Sequence, residues 1–297
     1  MQLLSHYIEH QSKNDVRIVN WHNHIVTDSL SYSYRDTVYD NRTYPSALHY
    51  HDYYELVVLE EGDIRYICEG HVYHPHYGDC ILIPPGKFHM SVIHGERTRY
   101  RRHVFYFYPS AFDTVGHGVL TSFVQRIREG DILTFASAES EQKLMEALGC
   151  LKKTFTDSMS PLDRALGLSH VLQVFCFMNQ TDCRAKSEGL LLPERIRQLQ
   201  QYIDANFATI SSVSEVAQHF FYSREYISRL FRQYFDTTIS DYIMKRRIAE
   251  SQALIMEGVP LIEVAYRVGF GSLSTFIRAF RCVTDMTPSE YRKWKKR

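Results

Sequence analysis

The stretch IEVAYRVGFGSLSTFIRAFRCVTDMTPSEYRKW, residues 262–294, decides the fold of the carboxyl-terminal third, because an earlier segment of the chain has the same pattern. Glu263-Val264-Ala265 repeats Glu215-Val216-Ala217 at an offset of 48 residues. Further on the offset is 49, and the matched positions are Arg229, Phe231, Arg232, Asp236, Thr238, Ser240 and Tyr242 with Arg278, Phe280, Arg281, Asp285, Thr287, Ser289 and Tyr291. The second copy therefore has one extra residue in its turn. A pattern that occurs twice in this way predicts two copies of one helical unit.

Each copy predicts a short helix, a tight turn and a second helix. Ser212 stands three residues before Glu215, the spacing at which a serine hydroxyl and a glutamate carboxylate cap a helix start reciprocally. We expect Ser223 to cap the second helix. Apolar residues then follow at helical spacing in both copies and predict a buried stripe on each second helix: Ile227, Leu230, Phe231 and Tyr234, then Phe276, Ala279, Phe280 and Val283.

The opposite face of each second helix is expected to point outward. Its residues are Glu225, Ser228, Arg229 and Arg232 in the first copy, and Ser274, Ile277, Arg278 and Arg281 in the second. A helix-turn-helix places such a face in the major groove, where arginine can contact guanine O6 and N7. A solvated helix face is the better interpretation of one isolated stripe, but two matched copies favour binding to double-stranded DNA.

The repeat resembles the DNA-binding domain of the AraC/XylS family of transcription regulators over roughly residues 195–295. The resemblance is most specific at Gly269-Phe270, at Arg278-Ala279-Phe280 and at residues 287–291. It implies base contacts by Glu225, Ser228 and Arg229, and by Ser274, Thr275 and Arg278. Gly271, where a polar residue is usual, and the apolar Ile277 depart from the family pattern, and both bear on the base preference of the second motif.

The segment between the two motifs predicts one connecting helix. Thr238, with Asp241 three residues later, can start it, and Gly258 followed by Pro260 can end it. About 18 residues at ~1.5 Å each give a length of ~27 Å, comparable with one turn of DNA. One chain could therefore present two recognition helices to successive major grooves.

The distribution of charge agrees with a nucleic-acid partner for this part of the chain. The whole sequence has 34 basic and 34 acidic residues, yet residues 191–297 carry 16 basic residues against 11 acidic ones. We expect phosphate contacts from two basic groups, Lys245, Arg246 and Arg247, and Arg292, Lys293, Lys295, Lys296 and Arg297. A frayed, solvated terminus is an equal alternative for the second group.

Length and composition predict a cytoplasmic protein of two domains. A chain of 297 residues suggests two domains, no run approaches 18 apolar residues, and the first 30 residues lack the plan of a signal peptide. The six cysteines contain no C-x-x-C pair, so neither a zinc framework nor a disulfide scaffold is indicated. We expect no membrane association.

The first 110 residues have a different sequence pattern. Short β-rich runs are separated by turn signals such as Glu61-Gly62-Asp63 and Pro84-Pro85-Gly86, a pattern that predicts an antiparallel barrel or sandwich. Within it, H-x-H-x-x-x-E at residues 49–55 and G-x5-P-x-G-x-x-H at residues 78–89 resemble the two cupin motifs. Ile93 stands where the cupin pattern has asparagine.

The residues that carry this second resemblance are His49, His51, Glu55 and His89. We expect the first three to alternate along one strand and to point to one face, with His89 completing the set. Such a set can bind a divalent metal, can line a metal-free effector pocket, or can be a group of satisfied buried histidines. Regulators of the resembling family keep the pattern without chemistry, so we expect an effector pocket, with no cofactor and no metal. The abundance of tyrosine, 21 residues, suits a saccharide effector.

The complete prediction is an α+β multidomain protein. It has a cupin-like effector-sensing barrel over residues 1–135, a helical pair over 136–180 for dimerisation, a linker over 181–193, and an all-α domain over 194–297. The all-α domain holds two helix-turn-helix motifs, at about 212–235 and 260–283. The predicted function is that of a homodimeric, effector-controlled transcription regulator. We expect an activator that acts with RNA polymerase, in preference to a repressor. The alternatives are a cupin-type metal-dependent enzyme fused to a DNA-binding tail and a partner-binding protein; bound metal would favour the enzyme.

Overall fold

The structure of the protein is a computed structural model. It describes residues 17–27, 29–40, 48–93, 97–113, 122, 124, 132–135, 138–155, 159–180, 183–186 and 190–295. The chain divides into two compact units, Met1–Leu190 and Leu191–Arg297.

The first unit is built from antiparallel strands and one pair of helices. The strands are β1 (Arg17–Thr27), β2 (Leu30–Asp40), β3 (Tyr54–Glu61), β4 (Ile64–Cys68), β5 (His71–Tyr73), β6 (Cys80–Ile83), β7 (His89–Ile93), β8 (Arg97–Phe107), β9 (Ile132–Phe135), β10 (Cys183–Lys186) and β11 (Leu190–Leu191). The helices are α1 (Ala138–Thr154) and α2 (Pro161–Gln180), and a 3-10 turn covers Pro109–Phe112.

The strands form two sheets. The larger has the order β1-β2-β8-β3-β6-β9-β10, and the smaller contains β5, β4 and β7 as neighbours in that order. In the part of the chain that the structure describes, the two sheets do not close into one continuous barrel. The antiparallel β-domain that the sequence predicts is confirmed, and so is the α+β class.

The large sheet is buried on both faces. Along β3, Leu56 and Val58 contribute to a core that includes the helical pair, whereas Val57 and Leu59 contribute to a second core shared with the small sheet. Successive side chains of a strand point to opposite faces, so a continuously apolar strand such as β3 is expected where both faces are covered. We call the face of Val57 and Leu59 the inner face.

The helical pair packs on the outer face of the large sheet. The core contains apolar residues of both helices: Leu144, Leu148 and Leu151 on α1, Phe155 just after it, and Val171 and Phe175 on α2. Two apolar residues on the first half of α2 are exposed instead, Leu162 by 77% and Leu166 by 47%. Within the segment expected to be a linker, Cys183–Lys186 form β10, which pairs with β9.

The second unit is all-helical. Its helices are α3 (Glu194–Asn206), α4 (Val213–His219), α5 (Arg224–Phe235), α6 (Ile239–Met256), α7 (Leu261–Arg267), α8 (Leu273–Thr284) and α9 (Pro288–Lys295). The connecting helix α6 packs against α3 and α5 on one side of the repeat and against α7, α8 and α9 on the other. Its 18 residues match the predicted length. Nowhere in the described residues of the chain does a helix have the length and apolar character needed to cross a membrane.

Candidate nucleic-acid interface and effector site

The first repeat folds as a helix-turn-helix, with a cap at the start of each helix. The Ser212 hydroxyl accepts a hydrogen bond from the backbone N–H of Glu215 at 3.2 Å. The Glu215 carboxylate accepts from the N–H and the hydroxyl of Ser211, at 2.9 and 2.8 Å, which is one residue earlier than the reciprocal cap predicts. At α5, the Ser223 hydroxyl accepts from the N–H of Tyr226 at 3.1 Å, as predicted.

The two turns have the same backbone geometry. The N–H of Tyr222 donates to the carbonyl of Ala217, and the equivalent N–H of Phe270 donates to the carbonyl of Ala265. At the centre of the first turn Phe221 has a φ of +56°, and at the matching position Gly269 has a φ of +90°. Both turns therefore have left-handed backbone at the same position of the repeat, but only the second copy has glycine there.

The recognition helices α5 and α8 end alike. Asp236 and Asp285, which match across the repeat, both adopt left-handed backbone at the last position, with φ of +48° and +58°. Their N–H groups donate to the carbonyls of Arg232 and Arg281. Equal capping at both ends gives the two helices the same length, 12 residues each.

On α5 the predicted DNA-facing residues lie outside the core. Glu225, Arg229 and Arg232 are exposed and Ser228 is half-buried, whereas Ile227, Phe231 and Phe235 are buried. The side chains that could contact base edges and phosphates are thus held on a helix whose opposite side is fixed by packing. The arginines do not turn back into the protein.

On α8 the arrangement is the same apart from one residue. Ser274, Thr275, Arg278 and Arg281 are exposed. The Ser272 hydroxyl caps the helix by accepting from the N–H of Thr275 at 3.2 Å. Ile277, expected to point outward, is half-buried and packs against the core of the second repeat. It lies at the border of the apolar stripe, and removal of its apolar side chain from water is favourable.

Three of the arginines expected to bind phosphates also bind groups of the protein itself. Arg247 donates from Nε to the carbonyl of Phe207 at 2.9 Å and from Nη2 to that of Ile210 at 2.7 Å. Arg246 pairs with Asp204 at 3.1 Å. The two bonds of Arg247 satisfy the carbonyl of Phe207, where α3 ends, and the carbonyl of Ile210 in the segment before α4.

Arg292 does the same for the second repeat. Its Nε donates to the carbonyl of Ile255 at 3.2 Å and its Nη2 to that of Val259 at 2.6 Å, at the end of α6. Phosphate contacts by these arginines stay a prediction. Lys245 is half-buried and Lys293 is exposed, while Lys296 and Arg297 lie outside the described residues.

In the first unit, the cupin-like residues converge at one end of the inner face. His51 Nε2 and His89 Nε2 lie 3.0 and 3.1 Å from the same oxygen, Oε2 of Glu55. Rings of His49 and His89 lie 4.3 Å apart between centroids, and the two residues form a backbone bridge. His51, Glu55 and His89 are buried and His49 is half-buried.

His49, His51 and Glu55 do not alternate along one strand, so that prediction is wrong. Only Glu55 belongs to β3, which begins at Tyr54, and His49 and His51 precede the strand. Strand alternation therefore does not bring the three together. The bridge between His49 and His89 and the bond from the N–H of Gly86 to the carbonyl of His51, at 2.7 Å, place the two histidines instead.

Hydrogen bonds orient both buried imidazoles. Nδ1 of His51 lies 2.7 Å from the carbonyl of Tyr53, and Nδ1 of His89 lies 2.9 Å from that of Lys87. A carbonyl only accepts, so each Nδ1 carries a hydrogen and donates, and a hydrogen bond from Nε2 to the Glu55 carboxylate requires a second hydrogen on that ring. Both Nε2 atoms are thereby directed at Glu55. Burial by itself would raise the pKa of Glu55, but the hydrogen bonds with His51 and His89 hold it well below its usual range. Burial lowers the pKa of His51.

This geometry is suited to bind either a cation or a hydroxylated ligand. Ligand atoms of His49, Glu55 and His89 lie within 4.8 Å of one another, so these three could hold a divalent ion. Fixing the tautomer through Nδ1 is how proteins commonly prepare histidine for a metal. The same carboxylate and imidazoles could equally hydrogen-bond the hydroxyl groups of an organic effector.

Sequence reasoning missed two further residues of the inner face, Arg35 on β2 and Arg102 on β8. Both are buried. The signal was present in the spacing: among the arginines of β8, Arg99 and Arg101 share one parity and Arg102 has the other. Alternation therefore sends Arg102 to the inner face.

Comparison with known proteins accounts for both units. A sequence model described as an AraC-like ligand binding domain matches residues 34–173, and one described as a helix-turn-helix domain matches residues 216–293. The regulatory protein SoxS of Escherichia coli (strain K12) is 35% identical over 98 residues, which are 33% of this chain and 92% of SoxS. This chain belongs to the AraC/XylS family of transcription regulators.

Other AraC/XylS relatives match one or both units. The arabinose operon regulatory protein of Salmonella typhimurium (strain LT2) is 24% identical over 253 residues, covering 80% of this chain and 82% of that protein. YkgA of Escherichia coli (strain K12), named as an HTH-type transcriptional regulator, is 31% identical over 108 residues, and the match spans 45% of its length.

Membership of the AraC/XylS family confirms the central prediction from the sequence. The protein is a DNA-binding transcription regulator with a ligand-binding amino-terminal domain, and it is not an enzyme. The alternative of a cupin enzyme with a DNA-binding tail is therefore wrong.

Proposed function

We propose that this regulator is a homodimer that inserts α5 and α8 of each chain into successive major grooves of double-stranded DNA, under the control of a small molecule bound between its two β-sheets. The observation that carries the proposal is the matched pair of exposed arginines. Arg229 and Arg278 occupy equivalent positions on helices of equal length, each capped by a serine and buried along its opposite side. Exposed guanidinium groups on such helices suit bidentate contacts to guanine.

Base readout by these side chains is tested with two single variants. Arg229→Ala and Arg278→Ala should each cost ~1–3 kcal/mol on the specific site and should relax preference at one base position, a different position for each variant. Affinity and base preference can be measured by footprinting and by selection from randomised operators. Glu225, Ser228 and Arg232 on α5, and Ser274, Thr275 and Arg281 on α8, are the proposed neighbouring contacts.

Lys293→Ala is the matched control, because this exposed lysine lies on α9, outside both recognition helices. It should weaken binding to all sequences about equally and should lower the dependence of affinity on salt. If both arginine variants kept the base preference of the parent, the assigned contacts would be wrong.

The effector site we propose is the cluster of His49, His51, Glu55 and His89 together with the inner face around it. Tyrosine hydroxyls and rings line this face, among them Tyr53, Tyr66, Tyr100 and Tyr106, and such residues suit a polyhydroxylated ligand. The name of the arabinose operon relative supports a saccharide for this chain as well. Elemental analysis of the purified protein would decide whether the same cluster instead holds iron, manganese or zinc.

Effector binding would control transcription by favouring one arrangement of the dimer over another. A ligand can do so only through different affinity for the two arrangements. We infer activation, with contact to RNA polymerase, in the cytoplasm. If saturating effector changed neither DNA affinity nor transcription, this part of the proposal would fail while the DNA-binding assignment would stand.

The proposed division of labour follows the two units. Residues 1–135 sense the effector, residues 136–180 dimerise, residues 181–193 connect the two parts, and residues 194–297 bind DNA. Dimerisation through the first half of α2 is supported by Leu162 and Leu166, which expose apolar surface, whereas the second half of the helix is packed in the core.

A further inference from the structure

The recognition helix α5 carries one acidic side chain among basic ones. Glu225 lies in the first turn of the helix and is exposed. The exposed side chains of Arg224, Arg229 and Arg232 belong to the same helix and carry positive charge. Phosphates attract the three arginines and repel the carboxylate, so the approach to DNA costs free energy at Glu225 unless a group of the DNA binds it.

The second recognition helix lacks this acid. At the offset of 49 residues that relates the two helices, Arg229 matches Arg278, whereas Glu225 matches Ser274. The sequence of α8, LSTFIRAFRCVT, contains no acidic residue. The two helices therefore share an arginine but differ in the side chain that lies about one turn before it.

Glu225 is not held by an ion pair in the part of the chain that the structure describes. Arg229 follows it by four residues, a spacing that stabilises a helix when the acid precedes the base. Glu263 and Arg267 form such a pair on α7, but the side chain of Glu225 has neither an ion pair nor a hydrogen bond among the described residues. Its remaining contribution within the protein is that of an acid near the positive end of the helix dipole.

The major groove offers a carboxylate one well-matched base. An ionised carboxylate can only accept hydrogen bonds, and cytosine presents its N4 amino group there as a donor. Guanine and thymine present acceptors, and adenine has an acceptor, N7, beside its amino donor. The hydroxyl of Ser274 both donates and accepts, so it does not impose the same selection.

We infer that Glu225 is a specificity-determining residue, by which the first motif selects a cytosine in each half-site of the operator. Four residues separate it from Arg229, or ~6 Å along the helix, so the cytosine should lie within about two base pairs of the guanine that Arg229 contacts. The second motif has no equivalent requirement. The inference rests on the proposed insertion of α5 into the major groove and specifies which base that helix reads.

Selection from randomised duplex DNA with the full-length protein tests the identity of this base. The parent should select cytosine at one position, and a duplex with cytosine there should bind about 5- to 150-fold more tightly than duplexes with the other bases. Glu225→Gln should change the selected base from cytosine to adenine, because a glutamine amide can accept from N6 of adenine and donate to N7. The guanine that Arg229 contacts should stay the same in this variant.

Removal of one amino group from the DNA tests the contact itself. 2-Pyrimidinone in place of the selected cytosine lacks the N4 amino group and keeps the rest of the base. The loss of affinity caused by this replacement should be at least about 5-fold greater for the parent than for Glu225→Ala. Weaker pairing of the altered base affects both proteins alike, so the difference between them reports the contact of the carboxylate.

Glu257→Gln is the matched control, because this exposed acid of the same unit lies directly after α6, outside both recognition helices. It removes the same charge and should keep the selection of cytosine. Thermal unfolding of Glu225→Gln completes the comparison. An acid that served only the helix dipole would change stability and leave the base preference as it was.

Two results would overturn the inference. One is a Glu225→Gln protein with the base preference of the parent at every position, and the other is an equal loss of affinity for the parent and Glu225→Ala when the amino group is removed. Failure of the proposed function has a different signature, because a parent that selected no sequence from the pool would refute base readout by α5 as a whole. A parent with a defined half-site, but without a cytosine that depends on Glu225, would refute only the role of this residue.

Discussion

Replacement of Gly269 by alanine should disrupt the second unit, for a reason that is visible in the turn between α7 and α8. Gly269 has a φ of +90°, and a Cβ added there would lie 2.1 Å from the carbonyl oxygen of Ala208 and 2.8 Å from its carbonyl carbon. Ala208 lies between α3 and α4, just before the first motif. The turn of the second motif therefore packs backbone to backbone against the segment that leads into the first motif.

Two costs contribute to the expected loss of stability. Left-handed backbone costs a residue with a side chain ~1–2 kcal/mol. The neighbouring backbone would also have to withdraw by about 1.3 Å to reach ordinary contact at 3.4 Å, and overpacking of this kind typically costs ~1–3 kcal/mol. Together they predict a loss of ~2–5 kcal/mol, a large part of the stability of a typical domain.

Thermal unfolding of the full-length protein, followed by far-ultraviolet circular dichroism, measures this loss. A domain of this size shifts by about 4–8 °C for each kcal/mol, and the transition of the first unit should not move. Affinity for an operator with both half-sites should also fall, because separation of the two motifs misplaces one recognition helix.

Phe221→Gly is the matched control. Phe221 holds the equivalent position with a φ of +56° and is 95% exposed, so glycine there relieves left-handed strain and removes little packing. We expect that variant to be as stable as the parent or slightly more stable. A Gly269→Ala protein that unfolded at the parent temperature would show that the close contact with Ala208 is not a constraint on the fold.

Three further outcomes are expected. Arg247→Gln should lower the stability of the second unit by ~2–4 kcal/mol in the absence of DNA, through loss of its bonds to the carbonyls of Phe207 and Ile210, whereas loss of a phosphate contact would leave unfolding unchanged. A double substitution, Leu162→Glu with Leu166→Glu, should convert the dimer to a monomer in sedimentation experiments and should lower the unfolding temperature only to that of the parent at a dilution where the parent is also monomeric. A parent that is already monomeric at high concentration would contradict the proposed interface. The hydrogen bond with His103, the charge of Lys152 and other contacts hold the pKa of Glu60 at about 2, below the ordinary 4.5. The Glu60 carboxylate therefore contributes its full stabilisation above a pH of about 4.5, and that stabilisation is lost as the pH falls toward about 2. Glu60→Gln should flatten the fall in urea midpoint across that window, and an unchanged acid limb would show that the carboxylate is not stabilised by folding.

The second unit could be predicted from sequence almost completely, because its signals are local. The helix caps and the apolar stripes lie within one or two helical turns of the residues that they organise. The caps are Ser212, Ser223 and Thr238. The sequence did not indicate the contacts that long side chains with a choice of partners make within the protein. Arg247 and Arg292 look like solvent-exposed basic residues in sequence, and only the carbonyls left at the ends of α3 and α6 show why they fold inward.

The first unit was predictable in type but not in detail. Alternation and turn residues indicate antiparallel strands, yet nothing local records that β2 pairs with β8 or that Arg35 faces Arg102. Such pairings join residues far apart in the sequence, and the histidine cluster depends on them. Its four members could be named from motif spacing, although the strand reasoning applied to His49 and His51 was wrong.

The connecting helix α6 belongs to both motifs at once. It completes the first by packing on α3 and α5 and begins the second by packing on α7 and α8. Each residue inserted into an α-helix advances everything beyond it by ~1.5 Å and turns it by about 100°. A single insertion in α6 would thus turn the recognition helix α8 toward the side of the duplex rather than into its groove. The length of this helix therefore helps to determine which operators the protein can bind, as do the side chains that contact the bases.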